Sequence, residues 1–281
     1  MSTVVVGVDG SRTALRAVRW AASEARTRDV PLRLAHAEMP LPQGIPGLDD
    51  RTRQEMHEQA LRWLDEAANQ AGGAAVQYRA QIALAAPLLT AESERADLVV
   101  LGSRGTGSLA SLLLGSTAVA VGARSSCPVV VVPDHDPTPG GPVVCGIRSV
   151  DDTAVLARAF EQARGNRLVV VSTTRPHLLS SPDATEDADH SAHLARTVEP
   201  WRRRHPDVQV ELIARRDNPT RTLREWARGA SLLVVGSRGR GTLAGWLHAS
   251  TSQALLHRTP CPVMLVPLKA PTVPTVPTPT R

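Results

Sequence analysis

The chain has 281 residues, which is enough for two domains of ordinary size. Hydrophobic residues make up 42% of it and aromatic residues only 2%, so the cores must be aliphatic. The net charge is +5, but acidic side chains are interspersed with the basic ones and aromatic residues that could stack on bases are almost absent. A nucleic-acid-binding groove is therefore disfavoured. No apolar run approaches the ~20 residues of a membrane helix, and we expect neither a signal peptide nor membrane association.

The first half alternates short apolar runs with helix-like stretches. Ser11 follows the first run and can cap the helix behind it. The predicted strands are Val4–Val8, Pro31–Ala37, Val76–Ile82, Leu98–Leu101 and Val129–Val132. The predicted helices are Thr13–Thr27, Arg51–Ala71, Pro87–Arg95 and Ala118–Ala123, with a loop at Met39–Asp50. This order predicts a five-stranded parallel sheet with helices on both faces.

The second half repeats the order after a linker at 134–142 that is rich in Pro and Gly. Its predicted strands include Val143–Ile147, Leu168–Ser172, Val208–Ile213 and Val263–Val266. We expect a polar loop at His177–Asp189, then a helix at Ser191–Arg204 that Pro200 kinks or ends early. The predicted domains are therefore 1–133 and 143–267, followed by a disordered Pro/Thr-rich tail at 268–281.

An internal repeat is the strongest signal in the sequence. The segment Asp97–Pro133 recurs as Ser231–Pro267 without a gap. Gly102 and Gly236 lie 134 positions apart, and every other matched pair keeps the same offset. A repeat of this length at a fixed offset indicates an internal duplication.

A glycine loop follows the fourth strand, beginning Gly102-Ser103-Arg104-Gly105. Nine residues separate Gly105 from Gly115-Ser116-Thr117, which opens a helix. Glycines let a ligand approach the backbone, and the free N–H groups of a helix start favour phosphate. A Walker A loop is excluded because it needs a lysine, and the only lysine of the chain is Lys269.

Asp9 ends the first strand, so it should meet the glycine loop at the carboxyl edge of the sheet. The alternative interpretation is that Asp9 only closes a turn with Gly10. His36 lies in a predicted strand and is expected to be a packed core side chain. The three cysteines show no disulfide or metal spacing, which fits buried apolar positions and a cytoplasmic location.

The glycine spacing, together with Asp9 after a valine strand, resembles the nucleotide motif of the universal stress protein family. The whole chain resembles the tandem form of that family from high-GC bacteria. The resemblance implies two Rossmann-like domains of the adenine nucleotide alpha hydrolase type and bound ATP, usually with Mg²⁺. Carried over by position, the ATP-binding residues are Val8, Asp9, Ala37, Gly102, Gly105, Gly115, Ser116 and Thr117.

The second half departs from this pattern. Arg148 stands where Asp9 stands, and Ala249 stands where Gly115 stands. An arginine cannot accept hydrogen bonds from ribose, and the Cβ of an alanine hinders close backbone approach. We expect a degenerate site in the second domain, with an altered, anionic ligand as the alternative.

Three functions fit these residues. The first is an ATP-binding regulatory protein of the stress response that is not an enzyme, has no catalytic or metal site and acts on an unknown protein partner. The second is a slow ATP-hydrolysing enzyme, and the third is a dimerisation module with incidental nucleotide binding. The last strands of the two halves, Val129–Val132 and Val263–Val266, are apolar edges, so we predict an internal pseudo-dimer that is compatible with further homodimerisation.

Overall fold

A computed structural model describes residues 2–40, 50–105, 115–135, 138–149, 152–174, 184–238 and 251–268. The strands are β1 Val4–Gly7, β2 Leu32–Glu38, β3 Val76–Ile82, β4 Leu98–Gly102, β5 Val129–Val132, β6 Val143–Ile147, β7 Arg167–Thr174, β8 Gln209–Arg216, β9 Leu232–Arg238 and β10 Val263–Leu268. The helices are α1 Arg12–Arg28, α2 Asp50–Gln70, α3 Ala85–Glu92, α4 Ser116–Arg124, α5 Thr153–Gln162, α6 Ala184–Arg204, α7 Pro219–Trp226 and α8 Thr251–Arg258.

The strands form one ten-stranded sheet in the order β3-β2-β1-β4-β5-β10-β9-β6-β7-β8. Within each half the described ladders are parallel. The predicted architecture of two five-stranded parallel units with helices is therefore confirmed. Because β1 lies between β2 and β4, the chain reverses direction across the sheet at β1, and the carboxyl end of β1 is a topological switch point.

The two units join through β5 and β10, which pair antiparallel. Val130 lies opposite Met264, its own repeat equivalent, and both side chains are fully buried. The pseudo-two-fold axis therefore passes between these two residues, and the predicted internal pseudo-dimer is confirmed. Since this ladder is antiparallel, the strands of the two units run in opposite directions, and their carboxyl ends lie at opposite edges of the sheet.

Each face of the sheet is covered by helices from both halves. Helices α1, α2, α5 and α6 pack on one apolar cluster, whose members include Val18 and Phe160. Helices α3, α4, α7 and α8 pack on the other, which includes Leu89 and Leu255. As the 2% aromatic content predicts, the described cores consist mainly of valine, leucine and alanine.

Several element boundaries differ from the sequence prediction. Helix α6 begins at Ala184, inside the predicted polar loop, because Glu186 and Asp187 in its first turn pair with Arg216 of β8. The helix also continues through Pro200. Leu268, which we had assigned to the tail, is the last residue of β10 and packs against Gly236. Residues 269–281, predicted to be disordered, lie outside the described residues, as do 41–49 of the predicted first-half loop.

Candidate nucleotide-binding site

A cleft lies at the carboxyl ends of β1, β2 and β4, where the sequence placed the site. Its described volume is about 110 Å³, below the roughly 300–1,000 Å³ of a typical small-molecule pocket. Residues 106–114, which connect the two glycine segments, lie outside the described residues. The described lining residues are Gly7, Val8, Asp9, Ala14, Ala35, His36, Ala37, Ala85, Leu88, Leu89, Leu101, Gly102, Gly105, Gly115, Thr117 and Ala118.

Asp9 closes the turn that the sequence allowed, and it also faces the glycine loop. Its Oδ1 accepts the backbone N–H of Ser11 at 3.0 Å, which closes the turn before α1. Its Oδ2 faces the glycine loop, because a Cβ built on Gly105 would lie only 2.5 Å from it. Ser11 caps α1 as predicted, accepting the N–H of Ala14 at 3.1 Å. The turn therefore fixes the carboxylate at the cleft and leaves one oxygen facing the loop.

The glycine loop is fastened to the start of α1. The Thr13 hydroxyl donates to the carbonyl of Arg104, and a Cβ at Gly102 would lie 2.7 Å from the Thr13 carbonyl carbon. Gly102 and Gly105 are therefore required for the loop to approach its own protein neighbours. The Arg104 side chain extends outward and lies 3.8 Å from Asp134, where both side chains are partly exposed.

Gly115 differs from these two glycines. Its φ is −58°, which any residue adopts, and among the described residues a Cβ there would lie no closer than 3.6 Å to an atom outside its chain neighbours. Gly115 lines the cleft as the N-cap residue of α4, and it has no side chain that could accept a hydrogen bond from the first turn of the helix. The first N–H groups of α4 therefore carry no cap from a Gly115 side chain, and free N–H groups at a helix N-terminus favour an anion.

His36 is buried, as the sequence suggested, but it also lines the cleft. Its Nδ1 lies 2.7 Å from the carbonyl oxygen of Val8. Because a carbonyl only accepts, Nδ1 carries the proton in this contact. The ring meets Trp63 edge-on, with centroids 5.5 Å apart.

Seven of the eight residues proposed for ATP line this one cleft. The exception is Ser116, the first residue of α4, whose exposed side chain lies outside the described lining. The apolar floor of the cleft was not predicted from the sequence; it is formed by Ala35, Leu88, Leu89 and Leu101. These residues were visible only as strand and helix positions, because apolar core side chains carry no motif.

In the second half, the position equivalent to Asp9 is occupied by Arg148, which makes different contacts. Arg148 donates its backbone N–H to Asp152 at 2.8 Å and its guanidinium to the same carboxylate at 3.0 Å. Asp152 is buried, so this pair neutralises its charge. Gly236 is covered by Leu268, since a Cβ there would lie 2.8 Å from its side chain. Gly239 and Ala249 lie outside the described residues.

Two further features concern only the described part of the chain. No group of three or more His, Cys, Asp or Glu side chains there is arranged to hold a metal ion. No helix of that part is long and apolar enough to cross a membrane.

Comparison with known proteins identifies relatives over nearly the whole length. The model of the universal stress protein family matches residues 1–133 and 141–267. A universal stress protein of Mycobacterium tuberculosis is 35% identical over 283 residues, covering 92% of this chain and 94% of that protein. Another from Mycobacterium bovis is 34% identical over 288 residues, covering 93% and 96%.

The fold also matches solved structures. The crystal structure of a universal stress protein from Archaeoglobus fulgidus superimposes with a TM-score of 0.72 at 21% identity, covering 94% of this chain and 96% of that one. At this identity the likeness concerns the fold alone. Together with the two matches to the family model, it shows that the chain belongs to the universal stress protein family and carries two such domains in tandem.

Proposed function

We propose that the protein binds ATP in the cleft of its first half and acts as a regulatory protein of the stress response. One observation carries the proposal: the Asp9 carboxylate, the glycine loop and the N-terminus of α4 converge on a single cleft. Helix N–H groups suit phosphates, a carboxylate suits ribose hydroxyls, and the apolar floor suits a base.

The glycine at 115 supports this proposal independently. Gly102 and Gly105 are explained by contacts within the protein, whereas a Cβ at Gly115 would disturb no atom of the described residues. A ligand lying against the backbone accounts for a glycine at this place. Mg²⁺ would arrive with the phosphates, because it is usually held by substrate phosphates and water with one or two protein oxygens. Asp9 and Thr117 carry the oxygen-bearing side chains of the described lining.

We further propose that the protein binds ATP without hydrolysing it at a useful rate. The titratable side chains among the described lining residues are Asp9 and His36, and each already has a hydrogen bond that holds it in place. Slow hydrolysis remains the alternative function, and it is tested by incubation with Mg²⁺ and ATP. Release of less than one ADP per chain over hours supports binding; steady turnover that Asp9→Asn abolishes supports an ATPase.

The second domain is proposed to be a degenerate copy, because the Arg148–Asp152 pair occupies the place of Asp9. The buried free cysteines fit a reducing compartment, and we propose a cytoplasmic location. Association into a homodimer and the identity of a protein partner stay predictions.

The test is calorimetric titration of the full chain with Mg²⁺-ATP. We expect Asp9→Ala to weaken binding by about tenfold or more, because a hydrogen bond to a charged group contributes about 1.5–3 kcal/mol. The matched control Arg148→Ala, at the equivalent place in the second half, should bind as the parent does. Gly115→Ala should weaken ATP binding while leaving thermal stability unchanged. Unchanged affinity in Gly115→Ala would show that no ligand approaches this glycine.

A further inference from the structure

The outer side of α7 carries a feature that the nucleotide site does not use. A groove of about 870 Å³ runs between α7 and α8. Its described lining residues are Asn218, Thr220, Arg221, Arg224, Glu225, Arg228, Thr251 and Ala254. The opposite side of α7 is anchored in the core by Leu223 and Ala227. The arginines therefore lie on the side of the helix that faces away from the sheet.

The three arginines form a row that follows α7 and extends just beyond its end. Arg221 and Arg224 lie three residues apart on the helix, which puts them on one helix face, and Arg228 follows in the turn directly after it. Like charges at this spacing destabilise a helix unless counter-charges meet them.

The acidic groups of this region neutralise only part of the row. Asp217 pairs with Arg221 at 2.5 Å, which lowers the pKa of its carboxyl. Glu225 lies 3.8 Å from Arg215, on the neighbouring strand β8. For Arg224 and Arg228 no ion pair is found among the described residues, and Nε of Arg224 is buried there without an acceptor. Residues 239–250, which precede α8, contain no Asp or Glu.

The first half provides an internal comparison. At the repeat offset of 134, the three arginines correspond to Pro87, Thr90 and Glu94. Helices α3 and α7 are otherwise equivalent, since Ala85–Glu92 and Pro219–Trp226 match residue for residue. The duplicated scaffold therefore does not require arginine at these positions.

We propose that the groove between α7 and α8 is a docking surface for an acidic segment of a partner protein. Charge complementarity selects the occupant: Arg224 and Arg228, four residues apart and without an ion pair among the described residues, match carboxylates spaced along a peptide. A compact anion fits less well, because the charges extend along a row. Nucleic acid is disfavoured because Glu225 lies within the row and the ring nitrogen of Trp226 is buried. This surface is separate from the ATP cleft and goes beyond the proposed function.

The experiment uses the full chain and a fluorescein-labelled decamer of glutamate, with binding followed by fluorescence anisotropy at low salt. Arg224→Glu with Arg228→Glu should weaken binding about tenfold or more, because two ion pairs with the peptide are lost and the reversed charges repel it. Arg221→Glu with Arg228→Glu is a second variant that leaves the half-buried Arg224 in place. Thermal unfolding verifies that each variant is folded.

The matched control is Arg196→Glu with Arg203→Glu, two exposed arginines seven residues apart on α6, which covers the other face of the sheet. It changes the net charge equally and should keep peptide affinity within about twofold of the parent. Equal loss in the control would show unspecific attraction to a basic protein and overturn the proposal.

Two competitors complete the test. Tripolyphosphate that displaces the peptide at lower concentration than unlabelled peptide does would assign the arginines to a small anion. A ten-nucleotide single strand that binds more tightly than the peptide, and loses affinity in Arg224→Glu with Arg228→Glu, would assign them to nucleic acid. Either result overturns the docking surface.

Discussion

The pairing of β5 with β10, here called the seam, joins the two halves and can be tested quantitatively. Val130 and Met264 are 134 positions apart in sequence but lie opposite each other in the sheet. Both are fully buried. Val130→Ala removes two methyl-sized groups at about 0.8 kcal/mol each, about 1.6 kcal/mol before any cavity term. Met264→Ala should lower the free energy of unfolding by about 2–5 kcal/mol. Directly opposite residues have Cβ atoms about 5 Å apart, so the two losses should not add.

The assay is a double-mutant cycle by urea denaturation of the full chain. We expect a coupling energy between Val130→Ala and Met264→Ala of at least about 0.5 kcal/mol, as found for residues in contact. The control cycle combines Val130→Ala with Leu168→Ala, a fully buried residue of β7. Strand β7 lies four strands from β5 in the sheet, about 19 Å away, so this cycle should be additive. Additivity in both cycles would refute the seam.

Two further predictions concern single positions. Gly10 has a φ of +76°, and a Cβ there would lie 2.3 Å from the Trp63 ring, whereas Gly73 has a φ of +82° with open space around it. Urea denaturation should therefore show that Gly73→Ala costs about 1–3 kcal/mol from backbone strain and that Gly10→Ala costs clearly more; equal costs would contradict the Trp63 contact. Burial raises the pKa of Cys127 to about 11 and that of Cys261 to about 12, and it also raises the pKa of Cys145. At pH 8 a thiol reagent should therefore label the native protein only as fast as it unfolds, and labelling within seconds in buffer would contradict the burial.

The duplication made most of the fold predictable. A short apolar strand at the end of each half, VVVV against VMLV, indicated two similar sheet edges, and these pair in the structure. The phosphate-side residues of the cleft were predictable because glycine spacing and a helix start have a distinct chemistry. The apolar floor was not, because Leu88 and Leu89 look like any core leucines.

Tertiary contacts explain the rest. Helix α6 starts seven residues before the predicted helix start at Ser191, because Arg216, some thirty residues away, pairs with its first turn. It continues past Pro200 with its last turn held from outside: Trp201 stacks on Phe160 with centroids 5.9 Å apart, and Arg202 donates to the carbonyl of Val210 at 2.7 Å. Neither contact can be predicted from the helix propensity of the local sequence. The pairing of Arg148 with Asp152 was likewise missed, although its partner is only four residues away.

We propose one ATP site per chain, in the first half. Native mass spectrometry of the full chain with Mg²⁺-ATP measures this number directly. We expect one bound nucleotide in the parent and in Arg148→Ala, and none in Asp9→Ala combined with Gly115→Ala. Two nucleotides per chain, or one that persists in the double variant of the first half, would contradict the account.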